Sequence, residues 1–282
     1  MRKQFILGVG CQKGGTTWLH DQLIKSLEVN LGFAKEYHIH DCYSIEHCKF
    51  HERRLKRLNK ILSSGETPPT NLLSLICFHN NISAYYNYFE GLYSSSEIIT
   101  TVGDITPSYA GLSSKILTSI KSNLESLGFV VKVIFLMRDP VERIWSSVRM
   151  NKRNSSSQVK KKISDEELIS KFYKTENYIM KTRYDKTIIN LEKVFDPNMI
   201  FYSLYEDLFK KETIDRLIKF TEIDMIYENF DIASYSNASP KKELISEELM
   251  SDIANYYSPV YKFISSKFDV QEKWKSINLL KN

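Results

Sequence analysis

No stretch of about 18 or more apolar residues occurs in the 282-residue sequence, so no segment is expected to cross a membrane as a helix. Cysteine is sparse: Cys11, Cys42, Cys48 and Cys77 include no Cys-x-x-Cys pair. So thin a set excludes a dense disulfide framework and makes a reducing, cytoplasmic setting the simpler reading. Strong charge of either sign is also missing, since 39 Lys and Arg against 34 Asp and Glu leave a net charge of +5. That balance suits an anionic ligand and is too modest to imply nucleic-acid binding. The basic run Lys160-Lys161-Lys162 reads as part of an exposed, flexible loop over Ser155–Lys162. A leader peptide is not expected, because the short apolar segment Phe5-Ile-Leu7 runs straight into a glycine turn that cleavage would remove. No internal repeat or bias towards disorder is evident; 42% hydrophobic and 26% charged residues are ordinary for a globular protein. A single domain over 1–282, with a substantial core, is the expectation.

The informative stretch is Phe5-Ile-Leu-Gly-Val-Gly-Cys-Gln-Lys-Gly-Gly-Thr-Thr-Trp-Leu19. An apolar strand over 5–10 enters a glycine turn, followed by a helix over roughly 15–28 with Leu19, Leu23 and Leu27 on one face. Gly14 and Gly15 let backbone N–H groups approach an anion, and the helix beginning near Thr16 aims its positive end at the same place. Lys13 adds a full charge. The arrangement departs from a Walker A loop, in which lysine follows the last glycine, because Lys13 precedes both glycines. It also departs from a dinucleotide fingerprint, because Lys13 occupies the position of the third glycine.

Further along, Lys132–Met137 and Met199–Leu204 read as buried strands, His47–Ser63 as a basic helix, and about 165–195 as helical. Ser63–Pro69 is a break rich in turn residues. Tyr85–Tyr93 fits either an amphipathic helix or a wall that stacks on a substrate ring, with ordinary packing favoured. Alternating strands and helices predict an α/β fold: a P-loop-like, doubly wound parallel sheet flanked by helices. After the 132–137 strand, Asp139 is a natural N-cap and Pro140 suits the first helical position. Val141, Ile144, Trp145 and Val148 then form the apolar face, with Asp139, Arg143 and Ser146 opposite. Arg138 and Ser146 are placed to hold one anion between them.

Lys13-Gly-Gly-Thr-Thr-Trp18 resembles the 5′-phosphosulfate loop of sulfotransferases that use 3′-phosphoadenosine 5′-phosphosulfate (PAPS). Arg138-Asp-Pro with Ser146 is similar to the same family's 3′-phosphate site. The resemblance implies that Lys13, Gly14, Gly15, Thr16, Thr17 and Trp18 surround the donor's 5′ end and that Arg138 and Ser146 hold its 3′-phosphate. Lys35-Glu36-Tyr-His38 resembles the Lys-Glu segment of heparan sulfate and bacterial carbohydrate sulfotransferases, which makes Glu36 the base and Lys35 an acceptor or sulfonyl contact. Cytosolic members of the family use histidine, so His38 or His40 stands as a second choice of base. Gly103-Asp-Ile-Thr-Pro-Ser-Tyr109 resembles the segment bordering the acceptor cleft, which points to Asp104 and Tyr109 as acceptor contacts; Ile105 stands where some members carry lysine. Tyr202–Leu208 resembles the family's Tyr-Glu-Asp-Leu strand segment, with Glu206 and Asp207 as helix-start and structural residues. Asn237–Lys242 occupies the place of a late basic loop without its glycines, leaving Lys241 and Lys242 as donor contacts. The implied chemistry is transfer to a hydroxyl or amine of a carbohydrate or small metabolite, releasing adenosine 3′,5′-bisphosphate (PAP), with no metal. Two other readings remain: a P-loop kinase or NTPase with Asp104 holding Mg²⁺, and a non-catalytic nucleotide-binding protein.

Overall fold

The computed structural model describes residues 3–232 and 243–281. All seven residues of Gln4–Gly10 (β1) are buried, as expected of a strand covered on both faces. Val29–Asn30 (β2), Thr101–Ile105 (β3), Val130–Met137 (β4) and Ile200–Leu204 (β5) complete a parallel sheet in the order β2-β3-β1-β4-β5. Gln4 stands opposite Thr101 on one side and Val130 on the other, so β1 is the central strand. The order reverses direction at β1, which makes the carboxyl ends of β1 and β4 the place where a crevice opens.

The helices are α1 (Thr16–Leu23), α2 (His40–Ser44), α3 (Phe50–Ser63), α4 (Thr70–Asn80), α5 (Ile82–Tyr93) and α6 (Ser114–Ser126) in the first half. The second half carries α7 (Pro140–Arg153), α8 (Gln158–Lys162), α9 (Asp165–Phe172), α10 (Glu176–Thr182), α11 (Tyr184–Glu192), α12 (Lys211–Thr221), α13 (Glu247–Tyr256) and α14 (Ser258–Ser265). Period-two alternation divides β1 between two cores. Ile6 packs with Trp18 and Leu19 of α1 and Ile214 and Leu217 of α12. Phe5, Leu7 and Val9 face the larger core, built with α5, α6, α7 and α11. No helix among the described residues is long and apolar enough to cross a membrane.

The structure corrects several boundaries. The helix expected over 15–28 stops at Leu23, where Lys25 N and Ser26 N turn back onto Gln22 O and Leu23 O. Leu27 is thereby 82% exposed instead of packed; only a few residues separate α1 from β2, which pairs with β3 and fixes where the chain must return. The loop expected over 155–162 contains the short helix α8. The helical region 165–195 is three helices, and α9 begins at a Ser164 cap whose Oγ accepts from Glu167 N at 3.1 Å. Tyr85, Tyr86 and Phe89 are buried on α5, with Phe89 edge-on to Phe5 at 5.0 Å, so this tyrosine-rich segment is packing. Glu206 and Asp207 lie in a turn before α12 and do not start it. Glu206 accepts from Trp274 Nε1 at 3.1 Å, and Asp207 pairs with Lys210 and Lys273, each at 2.7 Å.

Candidate active site

The glycine turn lies at the carboxyl end of β1. A Cβ on Gly14 would fall 2.7 Å from the Cys11 sulfur and 3.1 Å from the Leu136 carbonyl oxygen, so no larger residue fits. Gly15 has φ 101°, in the left-handed region, and a Cβ there would overlap Leu208. As the N-cap of α1 it contributes no side-chain acceptor. The first N–H groups of α1 have no intrahelical acceptor either, and they open onto a cleft of about 330 Å³. Lys13, Thr16, Thr17 and Trp18 line that cleft. Trp18 is held by its indole N–H, which donates to Asp231 O at 2.7 Å. The Lys13 pKa is lowered by burial first and then by the charges of Arg153, Arg138, Lys35 and Arg149. Four cations thus press on a fifth.

Arg138 leaves β4 on the opposite wall. Its Nη1 donates to Lys13 O at 3.3 Å, its Nη2 lies 3.4 Å from Glu142 Oε2, and its guanidinium sits 4.2 Å over the Tyr205 ring. Its Nε is buried without a hydrogen-bond partner among the described residues. The expected cap is present: Asp139 Oδ1 accepts from Val141 N at 2.9 Å, and Pro140 opens α7. Ser146, two turns on, lines the same cleft as Arg138. Arg143, expected on an open polar side of α7, is instead fully buried beside the Tyr178 ring at 5.6 Å, with all three nitrogens unpartnered among the described residues. α10 packs against α7 at that position and closes the face that the helical period left polar.

The third wall is the segment after β2. Lys35 Nζ donates to Thr17 Oγ1 at 2.6 Å and lies 3.2 Å from Glu36 Oε1, which ties this segment to α1. Glu36 Oε2 meets His38 Nε2 at 3.1 Å, and His38 Nδ1 meets Asp41 Oδ2 at 2.6 Å. Burial, the largest influence on Glu36, opposes ionisation, but the His38 hydrogen bond and the Lys35 charge outweigh it and hold the carboxyl below its ordinary range. Burial likewise opposes charge on His38, and its two carboxylate partners overcome it, raising the imidazole to about 9. At neutral pH the pair is a carboxylate on an imidazolium. Phe50 stacks on the His38 ring at 3.6 Å, and buried Arg54 donates to Tyr37 O at 2.6 Å and His38 O at 3.3 Å. Helix α3 therefore fixes this turn from behind.

Asp104 and Tyr109, expected to touch the acceptor, are 0% and 1% exposed and lie outside the cleft lining. Asp104 accepts from Thr106 Oγ1 at 2.6 Å and from Tyr85 and Tyr109 hydroxyls at 2.8 Å each. Thr106 Oγ1 in turn accepts from Tyr37 N at 3.0 Å, and Tyr109 OH from Ile39 N at 3.3 Å. These residues brace the Glu36 segment from the core, and both Asp104 oxygens accept hydrogen bonds there. His40 is buried edge-on to Tyr85 at 5.1 Å, and burial lowers its pKa to about 4, so it does not face the cleft. Gly14 forms the turn behind the lining residues. Lys241 and Lys242 lie outside the described residues. His38, Asp41 and Cys48 bring three metal-capable atoms within 4.8 Å of one another, with Cys42 Sγ 2.8 Å from Cys48 Sγ. The two His38 nitrogens are already engaged by carboxylates there.

Asp41, Ser108 and Arg149 were not singled out from the sequence. Ser108 Oγ donates to Asp41 Oδ2 at 2.5 Å and so completes the His38 network. Arg149 lines the cleft one turn beyond Ser146, an i+3 spacing that the sequence displays.

No curated protein sequence matches the chain. Among solved structures, a sulfotransferase from Alicyclobacillus acidocaldarius is 15% identical with a TM-score of 0.59, over 94% of this chain and 95% of that one. The sulfotransferase domain from the Curacin biosynthetic pathway is 15% identical with a TM-score of 0.48, over 94% and 97% of the two chains. That from the Synechococcus PCC 7002 olefin synthase is 16% identical with a TM-score of 0.47, over 99% and 93%. At such identities the likeness is one of fold. A model of the sulfotransferase family matches residues 5–227, taking in the glycine turn, the Lys35-Glu36 segment and the Arg138 arm, and the chain belongs to that family.

Proposed function

We propose that the protein transfers the sulfonyl group of PAPS to a hydroxyl or amine of a carbohydrate or other small acceptor, as a single catalytic unit over 1–282. The observation that carries this reading is one cleft lined by Lys13, Arg138 and Ser146 together with an ionised Glu36. The lining fits an adenosine bisphosphate: cationic groups from two walls face the space, and the N-terminus of α1 opens onto it. Lys13, the α1 N–H groups and the Thr16 and Thr17 hydroxyls bind the 5′ end, and Arg138 with Ser146 the 3′-phosphate.

Glu36 Oε accepts the acceptor's proton as the acceptor oxygen or nitrogen bonds to sulfur. The bond between sulfur and the bridging oxygen of the 5′-phosphate breaks, and Lys13 with the loop amides takes up the charge that develops on that oxygen. Lys35, tied to both Thr17 and Glu36, keeps base and phosphate loop in register, which in-line transfer requires. His38, held charged between Glu36 and Asp41, orients the base and does not replace it. The four cysteines are free, in keeping with a reducing, cytoplasmic setting.

Calorimetry tests the donor: without magnesium PAP should bind more tightly than ATP, and ATP binding more tightly than PAP once magnesium is added would instead assign a P-loop kinase. A PAPS-dependent screen over sugars, lipids, phenols and amines then identifies the acceptor, and product on none of them with tight PAP binding would point to a non-catalytic nucleotide-binding protein.

A further inference from the structure

Arg149 is the cation that the two family motifs leave unassigned. It lies on α7 three residues after Ser146, so the two side chains emerge from neighbouring positions on one helix face, and both line the cleft with Arg138. Its Nε and Nη1 are buried without a hydrogen-bond partner among the described residues. The guanidinium sits 5.0 Å over the Trp145 ring, and that indole is itself anchored by donating to Asp165 Oδ2 at 3.1 Å. The guanidinium thus lies against an anchored ring, with Nε and Nη1 unspent among the described residues.

The carboxylates near Arg149 are engaged elsewhere. Glu142 lies against Arg138 at 3.4 Å, and Asp165 takes the Trp145 indole and Lys152. Burial, the largest influence, and the Arg138 charge oppose the charge on Arg149, and the Glu142 and Asp165 charges offset them only in part. Two guanidiniums with buried, unspent nitrogens on one cleft form a receptor for a compact, multiply charged anion. A phosphate monoester, with three terminal oxygens and close to two negative charges, matches that description.

We propose that Arg149 joins Arg138 and Ser146 in a three-point clamp on the donor's 3′-phosphate and determines selectivity for nucleotides phosphorylated at both the 3′ and 5′ positions. This rests on the sulfotransferase reading above. The clamp is built from one strand end and one helix face, so it exists before the donor arrives.

Titration calorimetry with PAP and with adenosine 5′-monophosphate, on the full chain and its Arg149→Met and Arg149→Lys variants, tests the proposal. Arg149→Met keeps the stem over Trp145 and should weaken PAP about 30-fold, equivalent to about 2 kcal/mol for lost charge-assisted hydrogen bonds. Binding of the monophosphate should change less than about threefold. Arg149→Lys should recover only part of the loss, because a single ammonium cannot reproduce the fork. Equal weakening of both nucleotides, or full recovery by lysine, would make Arg149 a source of general positive field and overturn the clamp. An unchanged PAP affinity in Arg149→Met would overturn it too. Should the methionine variant not fold, the lysine variant decides by itself: it must lose affinity for PAP and not for the monophosphate. A wild-type protein with no preference for PAP over the monophosphate would sink the PAPS reading itself. A wild-type preference retained in the variants would sink only the role of Arg149.

Discussion

At one end of the cleft Lys13, Arg138 and Arg149 crowd together, with the Arg138 and Arg149 Nε atoms buried and unpartnered among the described residues. At the other, Glu36, His38 and Asp41 have each polar group spent on a neighbour, and Thr106, Tyr109 and Arg54 hold the backbone between them. The first end gathers mutually repelling cations, a repulsion that an anion would relieve. The second is complete without a ligand. The difference teaches which part of the site binds by supplying missing charge and which part acts through geometry fixed in advance. A donor that is tightly held and a base that does not move are what in-line group transfer asks of a protein.

The largest expected effects fall on single atoms of each end. Glu36→Gln keeps the shape and removes the proton acceptor, so turnover should fall about a thousandfold in a PAPS-dependent assay. Near-normal turnover would move the base role to His38. Lys13→Ala should cost on the order of a hundredfold or more in turnover, because it removes charge stabilisation at the leaving oxygen. Arg138→Ala should act differently and raise the donor KM about a hundredfold with a smaller change in turnover, read from initial rates at varied PAPS. If it lowered turnover alone, the separation between binding and chemistry would fail.

Thermal melting sharpens the comparison in the ligand-free protein. Asp104→Asn leaves Tyr85, Tyr109 and Thr106 competing for one carbonyl oxygen, and an unmatched buried polar group costs roughly 1–3 kcal/mol. Its melting temperature should drop. Lys13→Met removes one of the mutually repelling cations and should leave the melting temperature unchanged or higher, with PAP no longer raising it as much. A fall in both variants would show that the donor end, too, is held together by its own charges.

Much of the donor end was legible in the sequence because its parts are local. Gly14-Gly15 sits between a strand and a helix, and Arg138, Asp139, Pro140 and Ser146 are fixed by one strand end and one helical period. The base end was legible only as the string Lys35-Glu36-Tyr-His38. What holds it comes from α3, α5 and the turn after β3, brought together by the sheet order and not by chain proximity. For the same reason the resemblance of Gly103–Tyr109 to a segment bordering the acceptor cleft pointed to Asp104 and Tyr109 as acceptor contacts: a motif gives no sign of whether a side chain faces a cleft or a core. Arg143 misled in the opposite sense, since helical period marks a polar face but not the helix that covers it. The strands β1, β4 and β5 were recoverable from apolar runs and β3 was not, whereas α1 and α8 were misjudged where short connections between elements overrode local pattern.

The smallest expected effect tests whether His38 orients Glu36 or takes its place. The folded pKa of His38 is raised from its ordinary 6.5 to about 9, so its contribution to stability is fully present below about 6.5 and is lost as pH rises through about 9. Lys181 runs the other way. Burial and the Arg143 charge lower it to about 8, so its penalty is relieved as pH climbs from about 8 towards its ordinary 10.5. The His38 contribution is therefore read as a difference between wild type and His38→Gln, in which Lys181 cancels. The stability advantage of the wild type should shrink between pH 6.5 and 9. Turnover of His38→Gln at neutral pH should fall about tenfold, as for loss of an orienting partner, and its pH profile should lack the part of the decline that His38 deprotonation is expected to cause in the wild type near pH 9. A thousandfold loss, equal to that of Glu36→Gln, would instead place the proton acceptor on the imidazole.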